Sequence, residues 1–237
     1  MKIMLEKIKQ EVLCANKMIQ TTGLAILTWG NISGYDRESG FVVIKGSGIP
    51  YESMTEKDLA VVELETGKTI GDICPSTDLN THLELYRNFP EIRGVAHTHS
   101  CYATIWAQAG RDIPCLGTTH ADYFMGSVPC TRALRPEEVR HAYELNTGKV
   151  IVETLKDWKI HNTCAILVRK HGPFAWGSSA QDALHNALIL ENVAKMACFT
   201  EILGANEGVE SLDFALLDKH YNRKFGVDAY YGQKKGI

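Results

Sequence analysis

The sequence predicts a single α/β domain in which one sheet is covered by helices on both faces. Three observations carry this prediction. The chain has 237 residues, 45% of them hydrophobic and 22% charged, which suits a protein that closes one sizeable core. Short apolar runs ending in glycine alternate with stretches of helical spacing. No internal repeat, low-complexity linker or shift of composition divides residues 1–237.

The elements follow in order. MKIMLEKIKQEVLCANKMIQ interleaves Leu5, Ile8, Val12, Leu13 and Ile19 with charges, which fits a first helix and not the unbroken apolar stretch of a signal peptide. LAILTWGN, GFVVIKGSG and LAVVELETGKTIG each suit a strand ending in a turn. Helical spacing returns from Asp78 to Tyr86. RGVAHTH is a strand candidate, and SCYATIWAQAG a short helix with Gly110 as its stop. IPCLGTTHADYFMGSVPC holds too much Gly, Thr and Pro for a helix, so a loop-rich middle is expected. Pro136, followed by Glu137 and Glu138, reads as a helical first turn. CAILVRKHGPFAWG reads as strand, turn, strand. Ala180 to Leu203 gives the longest helical pattern, closed by Gly204, and a last helix near Leu212 to Arg223 precedes a polar tail.

Charge and cysteine content exclude several classes of function. A net charge of -3 and a pI near 6.3 leave no basic field for nucleic acid or an anionic membrane. No segment reaches the roughly 18 consecutive apolar residues of a membrane span. The cysteines number seven and include no CxxC pair, which argues against a disulfide framework and a thiolate zinc knot and for a reducing cytoplasm. Small-molecule chemistry is the class that remains.

His97 and His99 are two apart in a predicted strand, so both side chains project from one face toward a common point. His171 lies at a second strand-to-turn junction beside Gly172. Three neutral imidazoles on zinc leave open coordination positions, as a Lewis-acid catalyst requires and a structural site does not. An isolated HxH is equally well a pair of hydrogen-bonded core histidines. Histidines 82, 120, 141, 161, 185 and 220 also prevent a third ligand from being chosen by counting.

The motifs TWGN (28 to 31), KGSG (45 to 48), PSTD (75 to 78), HTHS (97 to 100), GTTHADYF (117 to 124), KHGPFAWG (170 to 177) and AYYGQ (229 to 233) together resemble the L-ribulose-5-phosphate 4-epimerases, within the class II aldolase and epimerase superfamily. The resemblance runs over nearly the whole chain. It implies a three-layer domain with a mostly antiparallel central sheet, and a homotetramer with active sites at subunit interfaces. It implies a zinc site at His97, His99 and His171 with Asp78 alongside, where manganese, cobalt or nickel can substitute. A phosphate site falls on Asn31, Lys45, Ser47, Gly48, Ser76 and Thr77, where Gly48 admits close backbone approach and Lys45 supplies charge. Acid/base roles fall on Asp122 and on Tyr231 rather than its neighbour Tyr230, provided burial or the metal shifts their pKa values toward neutrality. Thr118 supports Asp122, and Glu144, His220 and Arg223 shape the subunit interface. Two residues depart from the family patterns KPSG and PSSD: Gly46 replaces proline, implying a looser loop, and Thr77 replaces serine but keeps the hydroxyl.

C4 of a ketopentose bears no acidic hydrogen, so inversion there without a redox cofactor requires a bond to carbon to break. Removing the proton from the C4 hydroxyl cleaves C3–C4 and gives glycolaldehyde phosphate and the enediolate of dihydroxyacetone, whose charge a zinc ion can stabilise. Rotation of the aldehyde and reclosure invert the centre. One alternative is a class II sugar-phosphate aldolase, which releases the aldehyde and carries glutamate where this chain has Asp78. Another is a noncatalytic oligomerisation module of the same fold, which has no need of three converging histidines. Arabinose, ascorbate and xylulose-linked catabolism all employ this activity, and the sequence leaves that choice open.

Overall fold

A computed structural model describes residues 2–156 and 162–232; Gln233 and His161 lie outside them. Helix α1 (Lys2–Thr21) is followed by strands β1 (Asn31–Asp36), β2 (Phe41–Lys45), β3 (Leu59–Glu63) and the two-residue β4 (Thr69–Ile70). Helix α2 (Leu79–Asn88), strand β5 (Gly94–His97), and helices α3 (Cys101–Ala109), α4 (Thr118–Ala121), α5 (Pro136–Arg140) and α6 (Tyr143–Leu155) come next. Strands β6 (Ala165–Val168) and β7 (Gly172–Gly177) precede α7 (Ala180–Leu203) and α8 (Phe214–Phe225). The strands form one sheet of seven in the order β4-β3-β2-β1-β5-β7-β6, with every neighbouring pair antiparallel.

Strand alternation divides the core into two layers. Ile32, Val43, Val61, Ala96, Leu167 and Ala175 pack with Val12 and Ile19 of α1, Trp106 of α3 and Leu184 and Leu190 of α7. Val42, Ile44, Val62, Val95, Ile166 and Phe174 face the other way, onto Leu79, Leu83 and Tyr86 of α2 and Ile151 and Leu155 of α6. Each fully buried aliphatic or aromatic side chain contributes about 1.5–3 kcal/mol, so the two sheet faces hold the layers. The predicted three-layer α/β/α domain is the one observed.

Polar contacts lock the helices that frame β5. The buried Asn16 side chain donates to the Ile32 carbonyl at 2.8 Å and accepts from the Ile32 amide at 2.9 Å, binding α1 to β1. Glu191 of α7 accepts from the Tyr102 and Ala103 amides at 2.9 Å each, satisfying the first turn of α3. Gly94 allows the start of α7 to touch the sheet, since a Cβ there would lie 2.0 Å from the Ser179 carbonyl oxygen.

Three expectations need correction. LAILTWGN is mostly not a strand: β1 begins only at Asn31, and residues 24–30 turn through left-handed Leu27 (φ 55) and Gly30 (φ 77). The glycine- and proline-rich middle contains the four-residue α4, held by the Ala121 and Asp122 amides donating to Gly117 and Thr118. YELNTGKVIVETL, which the sequence reading left without an element, is α6; burial of Val150, Ile151 and Leu155 outweighs the low helix propensity of its Gly, Thr and Val residues.

Candidate metal centre and active site

His97 ends β5, opposite Asn31 of β1 and Phe174 of β7, and its ring stacks on Phe174 at 4.3 Å between centroids. Its Nδ1 lies 3.0 Å from the Pro173 carbonyl, which can only accept, so Nδ1 carries the proton and Nε2 the lone pair. His99 follows just beyond the strand, with its Nε2 3.1 Å from that of His97. His171 enters from the β6–β7 turn, its ring 4.7 Å from His97 and 5.2 Å from His99. One ligand atom from each of the three falls within 4.8 Å of the others, so the triad can hold a metal ion. Burial lowers the pKa of His99 and pushes that of His171 down to about 3, and the neighbouring imidazoles reinforce both shifts. Both of these rings thus favour the neutral form that ligation requires.

The glycine beside His171 serves close approach rather than a left-handed turn. The left-handed residue of this turn is Lys170 (φ 63). Gly172 is needed because a Cβ would stand 2.8 Å from the Thr98 carbonyl oxygen, so its absence lets the turn close on the HTH segment.

Asp78 caps α2 and accepts from Asn31 Nδ2 at 2.7 Å, outside the group of atoms converging within 4.8 Å. Burial opposes its ionisation and the Asn31 hydrogen bond favours the carboxylate; His97, His82 and His171 favour it further only when they carry a proton. Asn31 Nδ2 also donates to Ser76 Oγ at 3.0 Å, while its buried Oδ1 has no partner. One amide thus joins the triad's strand to the loop of Ser76, Thr77 and Asp78.

That loop is stitched to the KGSG loop by backbone bonds: Ser47 donates to the Cys74 carbonyl and Ser76 to that of Lys45, each at 2.9 Å. Ser47, Gly48 and Thr77 face solvent. Lys45 is 2% exposed; its Nζ lies 3.4 Å from the Thr28 carbonyl and 4.9 Å from the Tyr51 ring centroid, and burial lowers its pKa. Gly48 is left-handed (φ 69). Gly46 is not loose. Its amide donates to Asp58 at 3.0 Å, it bridges Pro75, and a Cβ there would meet the Asp58 oxygen at 2.6 Å.

Asp122, at the end of α4, belongs to a second cluster. Arg223 donates to it through Nε at 3.0 Å and a terminal nitrogen at 2.7 Å, and His220 Nδ1 lies 3.0 Å away. Burial alone would raise its pKa, yet the hydrogen bonds from Arg223 and His220 and the charges of Lys224 and Arg223 hold it below the ordinary range. Asp122 is thus held as a carboxylate, the opposite of a shift toward neutrality. Tyr231 lies under Arg223 and Lys224, at 5.3 and 4.5 Å from its centroid, whereas Tyr230 faces Lys219. Tyr231 thus shares two cationic neighbours, Arg223 and Lys224, with Asp122. Thr118 supports Asp122 through its carbonyl at 2.9 Å. His220 and Arg223, expected at a subunit interface, here clamp Asp122 of their own chain, and the Glu144 carbonyl accepts from Thr81 at 2.6 Å. Among the described residues no hydrogen bond or ring contact joins Asp122 or Tyr231 to the three histidines.

Sequence reasoning missed the residues that brace the site. His82, counted there as a spare imidazole, is fully buried under the triad's strand. It is bonded at 2.7 Å to Ser33, which meets Tyr86 at 2.7 Å, and burial pushes its pKa down to about 3. Its place four residues after Asp78, on the same helix face, was the available signal. Tyr51 donates to the Trp29 and Gly30 carbonyls at 2.8 and 2.7 Å, fixing the turn over the site.

Comparison with known proteins agrees with this geometry. The family described as Class II Aldolase and Adducin N-terminal domain matches residues 10–198. L-ribulose-5-phosphate 4-epimerase UlaF of Salmonella paratyphi A is 53% identical over 230 residues, covering 97% of this chain and 100% of that protein. Among solved structures, an L-fuculose 1-phosphate aldolase superposes with a TM-score of 0.77 at 24% identity, over 92% of this chain and 95% of its own. YgbL of Klebsiella pneumoniae, a putative aldolase/epimerase/decarboxylase, gives 0.72 at 24% identity, over 91% and 98%. These two likenesses bear on the fold. With the family model spanning most of the chain and a relative of this identity matched nearly end to end, the chain belongs to the class II aldolase family.

Proposed function

We propose that the chain is an L-ribulose-5-phosphate 4-epimerase, interconverting L-ribulose 5-phosphate and D-xylulose 5-phosphate. The observation that carries this reading is Asn31, which pairs with His97 across the sheet and bonds both Ser76 and Asp78, so that phosphate loops and metal ligands form one site. The 53% identical epimerase supports the choice of substrate.

His97, His99 and His171, with Asp78 alongside, would hold a zinc ion, which when bound would supply Lewis-acid stabilisation of negative charge on substrate oxygens. Lys45 and the hydroxyls of Ser47, Ser76 and Thr77 hold the phosphate, which tethers the aldehyde fragment while C3–C4 is broken. In one direction one of Asp122 and Tyr231 takes the proton of the C4 hydroxyl as C3–C4 breaks, and once the aldehyde has turned the other gives a proton to the same oxygen as the bond reforms on the opposite face. The reverse reaction exchanges the roles, and proton exchange with solvent resets the pair. Arg223 and His220 orient the Asp122 carboxylate.

Because no hydrogen bond or ring contact among the described residues joins Asp122 or Tyr231 to the triad of their own chain, we place the complete site between subunits of a homotetramer. Exposed apolar residues on α7 and α8, among them Phe199, Ile202, Phe214 and Phe225, support such contacts. Free cysteines throughout suit a cytoplasmic enzyme. The test is incubation of zinc-loaded protein with L-ribulose 5-phosphate beside a chelated control. Chelator-sensitive formation of D-xylulose 5-phosphate without free glycolaldehyde phosphate is expected. Release of the aldehyde would assign an aldolase, and no turnover of either kind would reject the reading.

A further inference from the structure

Tyr143 opens α6, and its hydroxyl oxygen lies 3.2 Å from Nδ1 of His171, with the two rings 6.0 Å apart and tilted. We propose that Tyr143 is a positioning residue of the metal centre, holding the His171 ring through Nδ1 so that Nε2 faces the ion. The inference rests on the triad being a metal site.

Each imidazole of such a centre needs a second partner that fixes its ring and tautomer. His97 has the Pro173 carbonyl for this purpose. His171 stands on a turn with a left-handed residue before it, and among the described residues Tyr143 is the hydrogen-bonding partner of its ring. With Nε2 on the ion, Nδ1 carries the proton and donates to the phenol oxygen.

The tyrosine is itself held from outside the centre. Thr147 donates to the Tyr143 carbonyl at 2.9 Å, and Thr81 of α2 to that of Glu144 at 2.6 Å. Asn146 donates to the Glu138 and His141 carbonyls at 3.0 and 2.6 Å, fastening α6 to α5. Arg132 binds Glu138 and Glu153 together at 2.8 and 2.9 Å, spanning both helices. Ala142, immediately before the tyrosine, is left-handed (φ 52, ψ 52), a conformation that a non-glycine residue keeps only where its surroundings impose it. Those contacts set the first turn of α6, and with it the phenol, against His171.

Tyr143→Phe keeps the ring and removes only the oxygen. We expect it to weaken zinc binding about 10- to 100-fold in competition with a chromogenic chelator. The visible spectrum of the cobalt-substituted protein should change with it, while the urea midpoint of the metal-free protein stays that of the wild type. Zinc affinity within twofold of wild type together with an unchanged cobalt spectrum would overturn the inference. An equal loss of metal-free stability would overturn it as well, by assigning Tyr143 a packing role. Wild-type protein that takes up no cobalt would instead overturn the metal-centre reading on which the inference stands.

Discussion

Gly30 and Gly40 share the same backbone angle, φ 77, but only Gly30 has neighbours within 4 Å of the position a Cβ would take. The pair therefore separates the cost of a left-handed alanine from the cost of disturbing the metal centre. Gly40→Ala, in open space between β1 and β2, carries the conformational term alone, about 1–2 kcal/mol. Gly30→Ala carries the same term and also places a methyl carbon 2.7 Å from the His97 carbonyl oxygen and 3.4 Å from the Thr98 Cα. Both neighbours are backbone, and Asn31 is paired with His97, so no side chain can rotate away. Overpacking of this kind adds about 1–3 kcal/mol, giving a loss of roughly 2–5 kcal/mol at Gly30.

The relief available is a displacement of the His97 backbone. Ligand positions tolerate about 0.5 Å before a site loosens, and relieving a 2.7 Å contact to ordinary van der Waals distance needs a His97 shift of at least about that size, so zinc affinity should fall about tenfold or more. Urea unfolding of the two metal-free variants at equal protein concentration measures the stability difference, and chelator competition measures the affinity. Gly40→Ala should bind zinc as the wild type does. The reasoning is refuted if Gly30→Ala is no less stable than Gly40→Ala, or if it is less stable yet binds zinc with wild-type affinity.

His97→Ala should remove bound metal and epimerisation together, and a metal assay returning stoichiometric zinc would refute that ligand assignment. Asp122→Asn and Tyr231→Phe should each slow turnover at least 100-fold with zinc content unchanged, the scale of a lost acid or base; near-normal turnover in either rejects that residue's role. Because the folded pKa of Asp122 lies below the ordinary 3.8, its carboxylate contributes stability above that pH and loses it as the pH falls through the folded value. The wild-type advantage over Asp122→Asn should therefore be full at neutral pH and shrink below about pH 4, and an advantage independent of pH in acid-unfolding curves would contradict the ion pair. Gly94→Ala should destabilise by about 3 kcal/mol or more, since its Cβ would lie 2.0 Å from the Ser179 carbonyl oxygen, and an unchanged urea midpoint would show that α7 moves freely.

What the sequence made legible was set by periodicity. Ala180–Leu203 and the β6–turn–β7 unit were readable from it because their signals are local and unbroken. The turn at residues 24–30 was not, because Leu27 and Trp29 look like strand residues while their conformation is imposed by Tyr51 from another loop. Gly46 shows the same limit. Its composition suggested freedom, and the bond to Asp58 that removes that freedom is tertiary.

The site divides along the same line. His97 and His99 announced themselves by spacing, but the state of Asp122 depends on His220 and Arg223, which lie 98 and 101 residues away. No local pattern encodes such a pairing. Lys45 carries the argument one step further. It is almost fully buried, has a carbonyl and an aromatic face for company, and forms no ion pair with a carboxylate among the described residues. A buried ammonium without a counter-charge costs free energy, which is why burial lowers its pKa. On the proposed function, a phosphate dianion bound at Ser47 and Ser76 would supply the missing charge, and the cost of keeping Lys45 desolvated in the free protein would then become affinity for the sugar phosphate.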